Sequence, residues 1–92
     1  PFGQGAPAPR FAFPGLSILD ARRIGTTHLR LRVADASGAA LEAVAFGAFD
    51  GPLGPALERS AGQRFHLAGR VELNSFGGRT RVQLRLDDAA KA

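Results

Sequence analysis

The residues that could take part in catalysis are few, and the sequence does not group them. His28 and His66 are the only histidines, and neither has the H-x-x-x-H or H-x-E spacing of a metal site. Asp87 and Asp88 form the one adjacent carboxylate pair, which we interpret as solvated acids that close the last strand rather than as metal ligands. The early glycines form no phosphate-binding loop, because they neither follow a strand nor open a helix. These 92 residues alone are therefore predicted to be non-catalytic.

Aromatic and guanidinium side chains are better suited to binding. Phe76 lies in NSFGG, between polar residues and glycines, where it could be a platform for a stacked base or could fold back over the core. Arg30 and Arg32 alternate with apolar residues in HLRLRV, so both project outward. They contact phosphates in one interpretation; in the other they form a solubilising face paired with acids such as Glu42.

Further basic residues extend this set. Arg79, Arg81 and Arg85 have few acids near them in sequence, which favours contacts with phosphates. His28 begins a predicted strand, where it could contact a phosphate or close the preceding turn, and we favour the turn. The candidate nucleic-acid-binding residues are His28, Arg30, Arg32, Phe76, Arg79 and Arg81.

Charge is segregated along the chain. The net charge is +4, and eleven of the twelve basic residues are arginine. Residues 21–34 hold four arginines and no acid, and residues 62–86 hold five arginines against Glu72 alone. The stretch between them, 35–61, holds four acids and only Arg59. This distribution indicates an anionic partner for the two basic stretches.

Size and composition indicate a single globular domain. The chain is long enough for one core, and its hydrophobic fraction of 45% is typical of a folded protein. The sequence contains no cysteine, which excludes disulfides and thiolate metal sites and fits a reducing cytoplasm. No apolar run approaches the length of a membrane span and no signal-peptide pattern is present, so we expect a cytoplasmic location without membrane contact.

Period-two alternation predicts five strands. They are LSILDARRI, HLRLRV, LEAVAFG, FHLAGRVEL and TRVQLRL. The residues predicted to face inward are Leu16, Ile18, Ile24, Leu29, Leu31, Val33, Phe65, Leu67, Val71, Leu73, Val82, Leu84 and Leu86. Gly69 lies in the middle of the fourth strand, where a glycine usually marks a bulge or a bend at a barrel corner. Ser37 and Gly38 predict the turn between the second and third strands.

One short helix is predicted between the third and fourth strands. Pro55 suits a first helical position, Gly62 is placed to end the helix, and Leu53 and Leu57 would face the core. Five antiparallel strands with this helix form the OB-fold arrangement, a small all-β Greek-key barrel. Its usual ligand surface surrounds strands two and three. The loops that flank it, 25–27 and 74–78, both lie in the basic stretches.

Residues 1–14 differ from the predicted barrel domain, 15–92. The segment is rich in proline and glycine yet carries Phe2, Phe11 and Phe13. We expect an extended segment, without regular secondary structure over 1–13, that lies against another surface. Phe11 and Phe13 are expected to be more protected than Phe2, because they are near enough to the first strand to fold onto the barrel.

Four blocks of the sequence, in this order, resemble the C-terminal part of the RecJ family of bacterial single-strand-specific exonucleases. The blocks are PFGQGAPAPRF, HLRLRV, AVAFG and GRVELNSFGGRTRVQLRLDD, and together they span essentially the whole chain. The resemblance implies that 1–14 is the junction with a catalytic core and that Pro1 marks a cut through a longer chain. It also implies that the Asp-His-His block and the divalent-metal ligands, for Mn²⁺ or Mg²⁺, lie upstream.

Two functions follow from this resemblance. In the first, the domain binds single-stranded DNA for a RecJ-like 5′→3′ exonuclease of DNA repair and recombination. His28, Arg30, Phe76 and Arg79 are then the positions to which the matching blocks point. In the second, the barrel is a protein-docking module for its own catalytic core or for single-strand-binding protein.

Overall fold

The computed structural model describes residues 9–92, and for Phe76 the backbone alone. The predicted order of three strands, one helix and two strands is confirmed, with a 3-10 turn added before the helix. The elements are β1 (Arg10–Ile24), β2 (His28–Ala34), β3 (Ala40–Ala45), the 3-10 helix (Ala48–Asp50), α1 (Leu53–Glu58), β4 (Arg64–Phe76) and β5 (Arg79–Lys91).

The strands form a closed barrel in which the neighbours run β1-β2-β3-β5-β4. β1 closes it, because residues 10–17 pair with β4 and residues 17–24 pair with β2. The predicted OB-fold arrangement is therefore confirmed. The expectation that all the strands are antiparallel is wrong for one pair, since β3 and β5 run parallel with Glu42 opposite Gln83. Alternation assigns side chains to faces and carries no information on strand direction.

The alternating apolar residues fill the barrel as predicted. Ile18, Leu31 and Leu84 come from three different strands, and each is at most 1% exposed. Leu57 of α1 is fully buried and packs against the same core, with Leu53 partly buried beside it. Burial of side chains of this size stabilises the fold by about 1.5–3 kcal/mol each, so the barrel is held together chiefly by this interior.

Three of the residues predicted to face inward are exposed. Ile24 is 39% exposed because a bulge between Ile18 and Asp20 shifts the alternation of β1 by one residue. Leu73 and Val82 face each other across the β4–β5 hairpin and are 69% and 50% exposed. Both side chains lie on the predicted side of the hairpin. The pairing of β5 with β3, however, starts only at Gln83. These two side chains therefore lie beyond the packed interior.

β1 starts earlier than the sequence indicated. Residues 10–13 pair with β4, so the predicted absence of regular secondary structure over 1–13 is wrong for this part. The reason is Phe13, which is half-buried against the core opposite Leu67, whereas Phe11 remains 48% exposed. Phe2 lies outside the described residues, as does the rest of 1–8. The division at residue 14 between a junction segment and a barrel domain stays a prediction.

A kink at Pro14 and Gly15 lets β1 follow both of its partners. The register with β4 shifts between Phe13 and Leu16, and Gly15 has a left-handed φ of 60°. Two β4 side chains hold the kink. The Gly15 N–H donates to His66 Nδ1 at 2.9 Å, and Arg64 Nη2 donates to the Gly15 carbonyl at 3.2 Å.

The paired acids of β5 lie within the strand, not after it. β5 continues to Lys91, so the expectation that Asp87 and Asp88 close the strand is wrong. Arg10 Nη2 donates to an Asp87 oxygen at 2.8 Å, and this hydrogen bond raises the pKa of the guanidinium above its ordinary value. Arg70 Nη1 lies 3.6 Å from the other Asp87 oxygen. The carboxylate thus joins the start of β1 to β4 and β5.

The helix α1 begins two residues before the predicted start. Its first residue is Leu53, which makes Pro55 the third helical residue. A proline is tolerated there because the N–H groups of the first turn have no partner within the helix. The helix ends at Glu58, before Gly62, and the Ser60 hydroxyl donates to the Leu57 carbonyl at 2.7 Å.

Gly69 marks a bend of β4, as its position in the sequence predicted. The register with β5 shifts between Ala68 and Gly69, which leaves Asp87 without a directly opposite residue. A Cβ atom at position 69 would lie 2.2 Å from the Arg85 carbonyl oxygen. Only glycine therefore permits the two strands to approach this closely.

Gly69→Ala is expected to destabilise the barrel by about 1–3 kcal/mol, because the added methyl group must push backbone aside. Chemical unfolding followed by circular dichroism measures this free energy. Gly51→Ala is the matched control: a Cβ there meets nothing within 4 Å and the backbone is extended. The control should stay within about 0.5 kcal/mol of the wild type. Equal stability of the two variants would contradict the close approach at Gly69.

Asp35 organises the predicted turn between β2 and β3. Its carboxylate accepts hydrogen bonds from the Ser37 hydroxyl at 2.6 Å, the Ser37 N–H at 2.9 Å and the Ala39 N–H at 3.1 Å. Gly38 follows with a left-handed φ of 90°, which confirms the turn residues. The hydrogen bond from the Ser37 hydroxyl, together with those from the backbone, lowers the pKa of Asp35.

The lowered pKa of Asp35 predicts a pH-dependent contribution to stability. A carboxylate whose folded pKa lies below its unfolded value stabilises the fold above the unfolded value, and the contribution disappears as the pH falls through the folded pKa. The difference in stability between the wild type and Asp35→Ala should therefore be constant near neutral pH and shrink below about pH 4. Urea unfolding at a series of pH values measures it, with Glu58→Gln as the control. A difference that grows on acidification would contradict this role.

Candidate nucleic-acid interface

The outward side chains of β1, β2, β3 and β5 form one continuous surface, which we call the basic face. The strand register brings them together: Arg22 lies opposite Arg30, Arg32 opposite Glu42, and Glu42 opposite Gln83. The bulge in β1 is what turns Arg22 toward this side. The basic face consists of Asp20, Arg22, Ile24, His28, Arg30, Arg32, Glu42, Val44, Phe46, Arg81, Gln83 and Arg85.

Three shallow grooves cross the basic face and meet at Glu42. One lies along β1 and β2 and is lined by Arg22, Arg30 and Arg32. The second extends from Arg30 past Val44 and Phe46 to Arg81. The third connects Arg32 with Arg81 past the start of β3. The grooves share their arginines, so a chain-like ligand could follow them without leaving the positively charged surface.

Phe46 is the exposed aromatic residue of this surface. It follows the last residue of β3, and 55% of its surface is exposed. The His28 ring meets it edge to face with centroids 5.2 Å apart, and the Arg85 guanidinium lies 4.7 Å from its centroid. These contacts fix the ring while leaving much of it accessible. An accessible, fixed aromatic ring is suited to stacking with a nucleic-acid base.

Phe46 is not among the binding residues predicted from the sequence. The alternation of Glu42, Val44 and Phe46 was the available signal, since these three residues share the outward parity of β3. The neighbouring alanines obscured this alternation, because they made LEAVAFG look apolar at nearly every position. In the structure Ala43 and Ala45 belong to the core, whereas of the outward-parity residues Val44 is 8% and Phe46 55% exposed.

His28, the first residue of β2, contacts the turn that follows β3. Its Nδ1 atom accepts the Gly47 N–H at 2.9 Å, which leaves Nε2 to carry the proton of the neutral ring. The ring therefore holds the turn and also orients Phe46. The sequence left two interpretations of His28 open, a phosphate contact and the closure of a turn. This contact supports the closure of a turn, but the turn is the one after β3 and not the one before β2.

The β4–β5 hairpin is tighter than the predicted loop 74–78. Its turn consists of Gly77 and Gly78, with φ values of 58° and 79°, as in a two-residue type I′ turn. Asn74 belongs to β4, and its side-chain amide donates to the Gln83 side chain. Phe76 is the last residue of β4, opposite Arg79. The predicted stacking by its side chain lies outside the described part of the chain.

The arginines of the basic face divide into paired and unpaired groups. Arg30 forms an ion pair with Glu42, and Arg85 lies 3.4 Å from a Glu72 oxygen. Within residues 9–92, three arginines of the basic face make no ion pair with a carboxylate, namely Arg22, Arg32 and Arg81, and neither does Arg79, which lies outside that face. Of the predicted site residues, the structure thus gathers Arg30, Arg32 and Arg81 around one groove system and places Arg79 at the tip of the hairpin.

The described part of the chain holds neither a cluster of metal-ligating side chains nor a helix that could span a membrane. No group of three or more His, Asp or Glu side chains there could hold a metal ion. Among the same residues, no helix is long and apolar enough to cross a membrane.

The closed five-stranded barrel with a helix after the third strand defines this chain as an OB-fold domain. A family described as the RecJ OB domain matches residues 1–88, and the chain belongs to that family. No curated protein matches the sequence. Among solved structures, the fold is similar to the crystal structure of the SSB domain of a Synechococcus sp. protein. The TM-score is 0.60 at 15% sequence identity, over 87% of this chain and 91% of that one.

Proposed function

We propose that this OB domain is the single-stranded-DNA-binding module of a RecJ-like 5′→3′ exonuclease that acts in DNA repair and recombination. The observation that carries the proposal is the exposed ring of Phe46 beside the arginines of the basic face. Membership of the RecJ OB-domain family supports the assignment to a nuclease. The cytoplasm is the compartment in which we place it.

A single strand fits this surface better than a duplex does. In a single strand both the phosphates and the faces of the bases are accessible, whereas a duplex hides the base faces in its stack. Arg32, Arg79 and Arg81 would contact phosphates, and Arg30 would do so after leaving Glu42. Phe46 would stack with a base, oriented by His28. Phe76 remains a predicted second platform at the end of the hairpin.

The chemistry of cleavage is proposed to belong to a catalytic core in the same chain. The Mn²⁺ or Mg²⁺ ion that the RecJ resemblance implies would be held there. Residues 9–92 do not offer a group of three or more ligands for such an ion. The segment 1–14 is proposed to be the junction with that core, and its exposed Phe11 is available for such a contact.

A docking function is the second candidate, and two apolar pairs that reach the surface favour it, although Phe13 is half-buried. Leu73 and Val82 form one pair on the hairpin, and Phe11 with Phe13 forms the other, with ring centroids 6.3 Å apart. These surfaces would contact the catalytic core or single-strand-binding protein. Binding through them would depend weakly on salt, whereas phosphate contacts release counterions and depend on salt steeply.

Phe46→Ala is expected to weaken binding to a fluorescein-labelled oligothymidylate of about 15 nucleotides, at a cost of about 1–3 kcal/mol. The salt dependence should stay unchanged, because stacking releases no counterions. Fluorescence anisotropy at several salt concentrations measures both quantities, and Phe46→Trp should retain binding. Phe11→Ala is the matched control, since Phe11 is also an exposed phenylalanine but lies outside the basic face. Equal affinities of the two alanine variants would remove Phe46 from the site.

Arg32→Ala and Arg81→Ala are expected to weaken binding and to reduce the slope of log K against log salt by about 0.7 each. The loss should be similar for oligonucleotides of different sequence, because phosphates carry no base identity. Arg59→Ala, just after α1 and away from the basic face, is the control and should behave as the wild type. If neither variant changes the affinity or the slope at unchanged stability, the docking function is preferred.

A further inference from the structure

Glu42 is the acid at the centre of the basic face. It lies on β3, the central strand of this surface, between Arg32 on β2 and Gln83 on β5. Its carboxylate forms an ion pair with Arg30, and all three grooves are lined by it. Asp20 borders only one of these grooves. Any nucleic-acid strand that follows the grooves would therefore pass over Glu42.

The ion pair contributes little to folding. The side chains of Arg30 and Glu42 are 49% and 33% exposed, and exposed pairs of this kind stabilise proteins by about 0–1 kcal/mol. The burial of Glu42 is also partial, so the fold does not require a carboxylate at this position. We expect the charge of Glu42 to affect ligand binding instead, because an anionic ligand would have to bind next to this carboxylate.

A phosphate that binds Arg30 must compete with Glu42. The guanidinium has to leave the carboxylate, and the freed carboxylate then repels phosphates that pass along the grooves. The carboxylate also cancels one positive charge of the face, so that fewer counterions are released from the DNA. Both effects weaken binding, and a weaker complex within one interface dissociates faster.

We propose that Glu42 is an internal competitor for the phosphate backbone, which limits the affinity of the basic face for single-stranded DNA and keeps the bound strand exchangeable. The inference rests on the proposed function and adds an affinity-limiting residue to it. Arg30 is the group for which the carboxylate and the phosphate compete. Weak binding suits a domain across which a strand has to move, since each advance breaks the contacts that the previous position made.

Glu42→Gln tests the proposal, because glutamine keeps the shape and the hydrogen-bonding oxygen while removing the charge. With the same labelled oligothymidylate, the variant should bind about two- to fivefold more tightly at low salt. Its log K against log salt should be steeper by about 0.7. The dissociation rate, from stopped-flow competition with unlabelled oligonucleotide, should fall. Glu58→Gln makes the same change of net charge on α1, away from the face, and should match the wild type.

Arg30→Ala and the double variant Arg30→Ala, Glu42→Gln complete the cycle. If the two anions compete for Arg30, the gain from Glu42→Gln should fall to less than half when Arg30 is absent. If Glu42→Gln strengthens binding by the same factor with Arg30→Ala as without it, Arg30 is not the group for which the two anions compete. Melting temperatures are measured for each variant, and Glu42→Thr is a second neutral replacement suited to a strand if the glutamine variant does not fold.

The remaining outcomes separate the inference from the proposed function. Weaker binding by Glu42→Gln would mean that the carboxylate contacts the DNA itself, and equal gains by Glu42→Gln and Glu58→Gln would mean that net charge alone matters. Either result overturns the inference and leaves the DNA-binding function standing. Failure of the wild type and the variant to bind at low salt overturns both. Binding by the variant alone supports both.

Discussion

The barrel depends on one strand having two partners in different directions. β1 pairs with β4 along its first part and with β2 along its second, and these two pairings close the sheet whose other side runs through β3 and β5. A strand changes direction between two such partners most readily at a glycine or a bulge. β1 is interrupted twice, at Gly15 and between Ile18 and Asp20. The second interruption also affects the outer surface.

The second interruption determines which side chains reach the basic face. Before the bulge, Ile18 points into the core; after it, the phase is reversed, so that Arg22 points outward beside Arg30. Without the extra residue Ile24 would be buried and Arg22 would lie on the opposite side of the sheet. The bulge that helps to close the barrel thus also adds an arginine to the candidate site.

Much of this fold follows from the alternation of apolar and polar residues. The order of the elements, the inward position of Leu31 and Leu84 and the bend at Gly69 were all predicted, because each depends on a local pattern or on one special residue. The length of the first strand was not, because the pairing of 10–13 depends on a contact between Phe13 and the core. The exposure of Val82 depends on where the pairing of β5 with β3 begins, which is also non-local.

The candidate site was predictable to a similar extent. Alternation placed Arg30 and Arg32 outward correctly, but it left open whether acids would pair with them. The structure gives a different answer for each: Arg30 is paired with Glu42, whereas Arg32 has no carboxylate partner among the described residues. The difference arises from rotamers and diagonal neighbours, which no sequence period encodes. Phe46 was missed because the predicted strand around it, LEAVAFG, looked apolar on both faces.

Folding and binding depend on different residues in this barrel. The interior is held by side chains such as Leu31 and Leu84, which no solvent-borne ligand can reach. The guanidinium groups and the Phe46 ring lie outside it, in contacts that are partly exposed and contribute little to stability. A change of charge at Glu42 can therefore alter how strongly an anion is held while the barrel stays folded. That separation permits a surface whose affinity is limited by one of its own side chains.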